Sequence, residues 1–131
     1  MIFVTRKAHF SAAHRLFNES FSDIENEVVF DKCNTVHGHN YFIEITVKGN
    51  PTPETGYVVD LKKLAKIIDF EILSKVDHKT LNDISIFKNI IPTVENLCIV
   101  FWNILVDKLP SGELHSIKVF ETDNNFAEYF G

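Results

Sequence analysis

The segment His37-Gly38-His39-Asn40-Tyr41-Phe42-Ile43-Glu44-Ile45-Thr46-Val47-Lys48-Gly49 decides the architecture. From residue 39 to 49 it alternates: Tyr41, Ile43, Ile45 and Val47 share one face, while Glu44, Thr46 and Lys48 share the other. A period of two with one apolar face reads as a half-buried strand. Gly49-Asn50-Pro51-Thr52-Pro53 then breaks it. Upstream, residues 2–14 are rich in β-branched and aromatic side chains and read as a partner strand. Residues 15–36 read as irregular, with Asn18, Ser20, Ser22, Asp23 and Asn26 scattered among apolar positions.

Downstream the period changes. Asp60 is placed to cap a helix over roughly 61–75, where Leu61, Leu64, Ala65, Ile68 and Ile72 form one stripe. Thr93, after Pro92, caps a second helix with Leu97, Phe101, Ile104 and Leu105 on its inner side, ended by Pro110 and Gly112. Strands follow at Leu114–Thr122 and around Phe126–Tyr129. The order β-β-α-α-β-β predicts an α+β fold: an antiparallel four-stranded sheet with two helices packed on one face. The open second face and free edges of such a sheet invite association between copies. No repeat, low-complexity tract or linker divides residues 1–131, which read as a single domain.

Composition narrows the function. Apolar residues make up 45% and charged residues 24%, ordinary for a globular protein, and the net charge is −5. That charge argues against nucleic acid and against an acidic membrane surface as partners. No secretory leader and no run of membrane-spanning length is evident. Two cysteines in unlike settings predict free thiols in a reducing cytoplasm.

Chemistry concentrates around the start of the quoted strand. Side chains at i and i+2 of a strand project from one face, so His37 and His39 can meet one ion, with Gly38 adding no bulk between them. His14, at the end of the first strand, is the natural third ligand, since neighbouring strands lie about 5 Å apart. Three neutral imidazoles with a fourth position open describe a catalytic zinc site, although imidazole also suits other divalent ions. The plainer reading is of unrelated histidines in a chain that has six.

Cys33 lies four residues before His37 on a polar stretch. It is either a thiolate base or nucleophile beside a dication, or a fourth ligand that closes the site. Cys98 sits at a core position of the second helix and is assigned to packing. Asp77-His78 follows the first helix, where a carboxylate can tune an imidazole as a proton carrier. Neighbours in sequence rarely pair directly, so a third group is expected in that relay. Glu121 shares parity with Ile117 and Val119, which turns its carboxylate inward and requires a partner. The fork of acceptors suits a guanidinium from Arg6 or Arg15, or the paired N–H donors of a 2-amino-4-oxo heterocycle such as a pterin.

Taken together, Phe10-Ser11-Ala12-Ala13-His14-Arg15-Leu16, Cys33-Asn34-Thr35-Val36-His37-Gly38-His39-Asn40-Tyr41, Asp77-His78-Lys79-Thr80-Leu81-Asn82, Pro92-Thr93-Val94-Glu95-Asn96-Leu97 and Phe120-Glu121-Thr122 resemble the 6-pyruvoyl-tetrahydropterin synthase family. The family includes the 6-carboxytetrahydropterin synthases of queuosine biosynthesis, and the resemblance covers nearly the whole chain in order. It implies the tunnelling fold (T-fold), in which trimers close a barrel and two trimers stack into a homohexamer with active sites between subunits. It implies zinc held by His14, His37 and His39, Cys33 as catalytic base, Asp77 and His78 in its proton relay, and Glu121 anchoring a pterin beside Thr93 and Glu95.

The implied substrate is 7,8-dihydroneopterin triphosphate. Cys33 would remove a carbon-bound proton, His78 would shuttle protons, and a Lewis-acidic metal would polarise the side-chain hydroxyls. Lys32, Lys79, Arg6 and Arg15 are candidates for the triphosphate. Three residues separate Cys33 from His37, the spacing of the carboxy enzymes, which lose acetaldehyde as well as triphosphate. The tail Glu121-Thr122-Asp123-Asn124-Asn125 and the Asp23–Asn34 stretch instead resemble the animal pyruvoyl type of tetrahydrobiopterin biosynthesis. The loop spacing weighs more here and points to a 6-carboxy-5,6,7,8-tetrahydropterin synthase. From other classes, a zinc hydrolase using metal-bound hydroxide, or a non-catalytic metal-binding module, would use the same three histidines.

Overall fold

A computed structural model describes all 131 residues. Two long strands, β1 (Ile2–His14) and β2 (His37–Gly49), pair antiparallel in continuous register from Ile2 opposite Gly49 to His14 opposite His37. β3 (Lys79–Thr80), β4 (Glu113–Phe120) and β5 (Phe126–Tyr129) complete a sheet of order β3-β1-β2-β4-β5. The expected four strands are therefore five. The additional strand is two residues long, too short for any alternation to show in sequence, and it runs parallel to β1 beside Ala12 and Ala13.

The alternation in β2 is the origin of the core. Tyr41, Ile43, Ile45 and Val47 are fully buried and meet Phe10, Ala12, Ile117 and Val119 on the same face. A register shift between Thr46 and Val47 sets Leu114 opposite Val47 and Ile117 opposite Ile45. Residues of both parities in β4 thus turn inward, yet the odd set from Ile117 onward stays in phase.

Three helices accompany the sheet, one more than expected. α1 (Asp23–Phe30) lies within the stretch read as irregular. Its entry is a capping box: Ser22 Oγ accepts from the Glu25 amide at 3.1 Å, and the Glu25 carboxylate accepts from the Ser22 amide at 3.4 Å. α1 buries only Asn26, whose side-chain amide bonds the Asn18 backbone at both ends, so no apolar stripe betrays it.

α2 (Leu61–Ile68) is capped by Asp60, which accepts from the amides of Lys62 and Lys63. It continues through a π-helical turn (Asp69–Leu73) into a last α-turn (Ser74–Val76). Leu64, Ile68, Ile72 and Val76 bury against the sheet. α3 (Val94–Leu105) is capped by Thr93, whose Oγ1 accepts from the Asn96 amide at 3.2 Å. Leu97, Cys98, Phe101 and Leu105 face the core. Cys98 packs there as expected, its thiol donating to the Ala127 carbonyl and its pKa pushed up to about 11 by burial. No helix is long and apolar enough to cross a membrane.

Candidate metal centre and active site

The register of β1 and β2 assembles the centre. His14 stands directly opposite His37, and His39 stands opposite Ala12, two residues further along, so the three imidazoles occupy one patch of the helix-facing side. Ring centroids are separated by 4.6, 4.9 and 5.1 Å, and one donor nitrogen from each lies within 4.8 Å of the others.

Backbone carbonyls orient two of the rings. His14 Nδ1 donates to the Pro92 carbonyl at 2.8 Å, and His37 Nδ1 donates to the Thr35 carbonyl at 2.6 Å. A proton on Nδ1 leaves Nε2 as the lone pair, the arrangement a metal ligand needs. The hydroxyl of Tyr41, whose ring is fully buried and stacked on Phe10, lies 3.2 Å from the same His14 nitrogen. Burial pushes that phenol up, so it remains protonated.

Buried nitrogens almost always have partners, yet His14 Nε2 and His39 Nε2 have no hydrogen bond. Burial lowers the pKa of both imidazoles, holding them neutral. Converging, neutral nitrogens without hydrogen bonds fit a bound cation. The donor set is all nitrogen, which suits zinc among several divalent ions.

Glu121 joins this centre. It follows β4 in phase with Ile117 and Val119, and its Oε1 reaches within 3.3 Å of His14 Nε2 and 3.5 Å of His39 Nε2, though not in hydrogen-bond geometry. Its carboxylate pairs with neither Arg6 nor Arg15. A tight turn holds it: the Glu121 amide donates to the Asn125 carbonyl, and Thr122 Oγ1 accepts from the Asn124 and Asn125 amides. Thr93 sits one residue from the carbonyl that orients His14, and Glu95 lies exposed in the first turn of α3.

Asp77 and His78 form a second unit, and they pair directly, Nδ1 to Oδ2 at 3.0 Å, contrary to the expectation that neighbours need an intermediary. His78 takes a left-handed backbone (φ 58°), which swings its ring back over the preceding carboxylate. The Asp77 carboxyl is held below its usual range, first by the Ser11 amide, which donates to Oδ1 at 3.0 Å, and then by His78. The His78 amide donates to the Ser11 carbonyl, tying the unit to the β1 edge.

His78 lines a groove of about 440 Å³ with Ser11, Asn40, Lys79 and Thr80. Ser11 and Asn40 alternate with His14 and His39 along their strands, so their side chains lie on the opposite sheet face, although His39 also borders the groove.

Cys33 is exposed in a 3₁₀ turn, Asp31–Asn34, and its sulfur is not among the clustered donors. No hydrogen bond joins it to His78 within the chain. The fold therefore gathers His14, His37, His39 and Glu121, gathers Asp77 and His78 separately, and leaves Cys33 apart. Reasoning from sequence overlooked the ring-orienting roles of the Pro92 and Thr35 carbonyls and of Tyr41. Only Tyr41 carries a signal, as an odd-numbered neighbour of His39 on the same strand face.

Comparison with known proteins finds relatives along nearly the whole chain. The 6-pyruvoyl tetrahydropterin synthase family profile matches residues 3–131. The chain is 43% identical over 131 residues to the 6-pyruvoyl tetrahydrobiopterin synthase of Homo sapiens, covering 98% of this chain and 90% of that protein. It is 34% identical over 148 residues to the 6-carboxy-5,6,7,8-tetrahydropterin synthase of Rickettsia bellii, covering 98% and 99%. The solved structure of Caenorhabditis elegans 6-pyruvoyl tetrahydropterin synthase superposes with a TM-score of 0.93 at 37% identity, covering 99% of this chain and 95% of that one.

Proposed function

This chain belongs to the 6-pyruvoyl tetrahydropterin synthase family, and we propose that it is a zinc-dependent lyase eliminating triphosphate from 7,8-dihydroneopterin triphosphate to give a 6-pyruvoyl-tetrahydropterin. The observation that carries this reading is the pair of unpartnered Nε2 atoms on His14 and His39, aimed with His37 at one point. Zinc held there supplies Lewis acidity to the hydroxyls of the substrate side chain.

The remaining roles belong to side chains of this protein. Glu121 accepts the paired N–H donors of the pterin, which brings the side chain of the substrate over the three imidazoles. Thr93 and Glu95, at the start of α3, contribute to substrate binding in this reading. Cys33 acts as a thiolate that takes a carbon-bound proton, and His78, steadied by Asp77, carries protons between positions. Cys33 and His78 do not meet within one chain, so they work together across a subunit boundary in a homohexamer. The His78 groove, which His39 borders, is where a neighbouring copy delivers its substrate.

A second product is supported by one specific feature. The three-residue spacing between Cys33 and His37 is the one that the sequence resemblance associates with the carboxy enzymes, which also release acetaldehyde. The higher identity to pyruvoyl enzymes, 43% against 34%, favours the pyruvoyl product and outweighs a single loop. Incubation with 7,8-dihydroneopterin triphosphate and mass analysis decides between them. A pyruvoyl product supports the proposal, acetaldehyde with a carboxypterin supports the second product, and unchanged substrate with zinc present refutes both. Retention of turnover in Cys33→Ala would point instead to metal-bound hydroxide.

A further inference from the structure

The exposed turn that carries Cys33 is not left to find its own position. At the end of β1, the Leu16 amide donates to the Cys33 carbonyl at 2.8 Å. One residue earlier, Arg15 Nε donates to the Asn34 carbonyl at 2.6 Å, and both Nε and Nη2 reach Asn34 Oδ1, at 3.2 and 3.1 Å. The two peptides that flank Asn34 are thus held, one each, by the two residues that follow the ligand His14.

Arg15 is itself fixed. The Asn82 side-chain amide accepts from the Arg15 amide and donates to its carbonyl, each at 2.8 Å. The guanidinium lies over the Phe17 ring at 4.5 Å. At the other end of the turn, the Thr35 carbonyl is held by His37, a second metal ligand. The anchors from Arg15, Leu16 and His37 thus tie the Cys33 turn to the segments that carry two of the three histidines.

We infer that Arg15 is a positioning residue: its guanidinium fork pins Asn34, through both its carbonyl and its side chain, and so fixes the neighbouring thiol relative to the three-histidine centre. The inference rests on the reading of Cys33 as the base. The contact with Asn34 also engages the Nε–Nη2 edge of Arg15, which leaves a phosphate only the Nη1 side of the guanidinium.

The test compares Arg15→Ala and Arg15→Lys with the unaltered zinc-loaded protein in two measurements. In amide hydrogen exchange, both variants should speed exchange at Leu16 and Thr35 by about tenfold or more while Ile43, in the middle of β2, is unmoved. In steady-state turnover of 7,8-dihydroneopterin triphosphate, kcat should fall by about 10- to 100-fold with KM within about threefold, since a base displaced by an ångström loses rate rather than binding. Lysine keeps the charge but cannot bridge two oxygens, so Arg15→Lys should remain impaired.

A raised KM with kcat unchanged, or recovery in Arg15→Lys, would overturn the inference in favour of a charge that attracts the substrate. Unchanged exchange at Leu16 and Thr35 would overturn it whatever the kinetics. If the unaltered protein fails to turn over this substrate, the proposed reaction fails, while the exchange result still decides whether Arg15 pins the turn.

Discussion

Replacing Thr93 with alanine tests how a helix cap reaches the metal centre. Thr93 Oγ1 accepts from the Asn96 amide, and the residue before it, Pro92, supplies the carbonyl that holds His14 Nδ1. Loss of a threonine cap costs about 1 kcal/mol. Unfolding entropy of about 2.1 cal/mol/K per residue gives roughly 0.28 kcal/mol/K over 131 residues, so the metal-free midpoint should drop by about 4 °C. A frayed first turn also loosens the Pro92 carbonyl. Weakening such an orienting bond lowers metal affinity by about 10- to 100-fold, and the lower end is expected because the carbonyl is displaced rather than deleted. Thermal unfolding of the metal-free protein and competition with a chelator measure the two effects, with Thr93→Ser as the control that should retain both. A midpoint within about 1 °C of the parent, or an affinity loss as large in Thr93→Ser as in Thr93→Ala, would refute the coupling.

Three further expectations follow from the same geometry. His78→Ala should lower kcat by about 10²- to 10⁴-fold with metal content unchanged, read by turnover beside elemental analysis; loss of the metal would show that His78 supports the centre instead. The His14 and His39 pKa values are depressed from 6.5 by burial, so the unfolded chain binds more protons; stability of the metal-free protein should decline as pH falls below about 6.5, and denaturant titrations showing a rise would contradict this. At Gly38 an added Cβ would approach the Ala12 carbonyl no closer than 3.6 Å and no positive φ is required, so Gly38→Ala should be stabilising by about 0.4–1 kcal/mol in denaturant titration. Destabilisation of the isolated chain would contradict the open space beside Gly38.

Much of the architecture was legible because burial writes itself into period. Tyr41, Ile43, Ile45 and Val47 announced their strand and its inner face, and counting from Ile117 placed Glu121 inward correctly, the bulge lying upstream of it. The three-histidine cluster followed from the same arithmetic, since i and i+2 on one strand and a residue opposite on the next share a face. What stayed hidden had no periodic signature. β3 is two residues long, and α1 turns Ile24, Val28 and Val29 outward, so only the Ser22–Glu25 capping box could have revealed it. The direct Asp77–His78 pair depends on one left-handed residue, and His78 is not an amino acid that advertises that conformation. Carbonyls, which orient His14 and His37, leave no trace in side-chain identity at all.

The account depends on three imidazoles binding one cation with a position left for substrate. X-ray absorption at the zinc edge, with elemental analysis of the purified protein, measures this directly. One zinc per chain is expected, with three nitrogen donors at about 2.0–2.1 Å and the remaining donor oxygen. A sulfur scatterer at about 2.3 Å would place Cys33 on the metal, and the absence of a stoichiometric ion would contradict the site altogether.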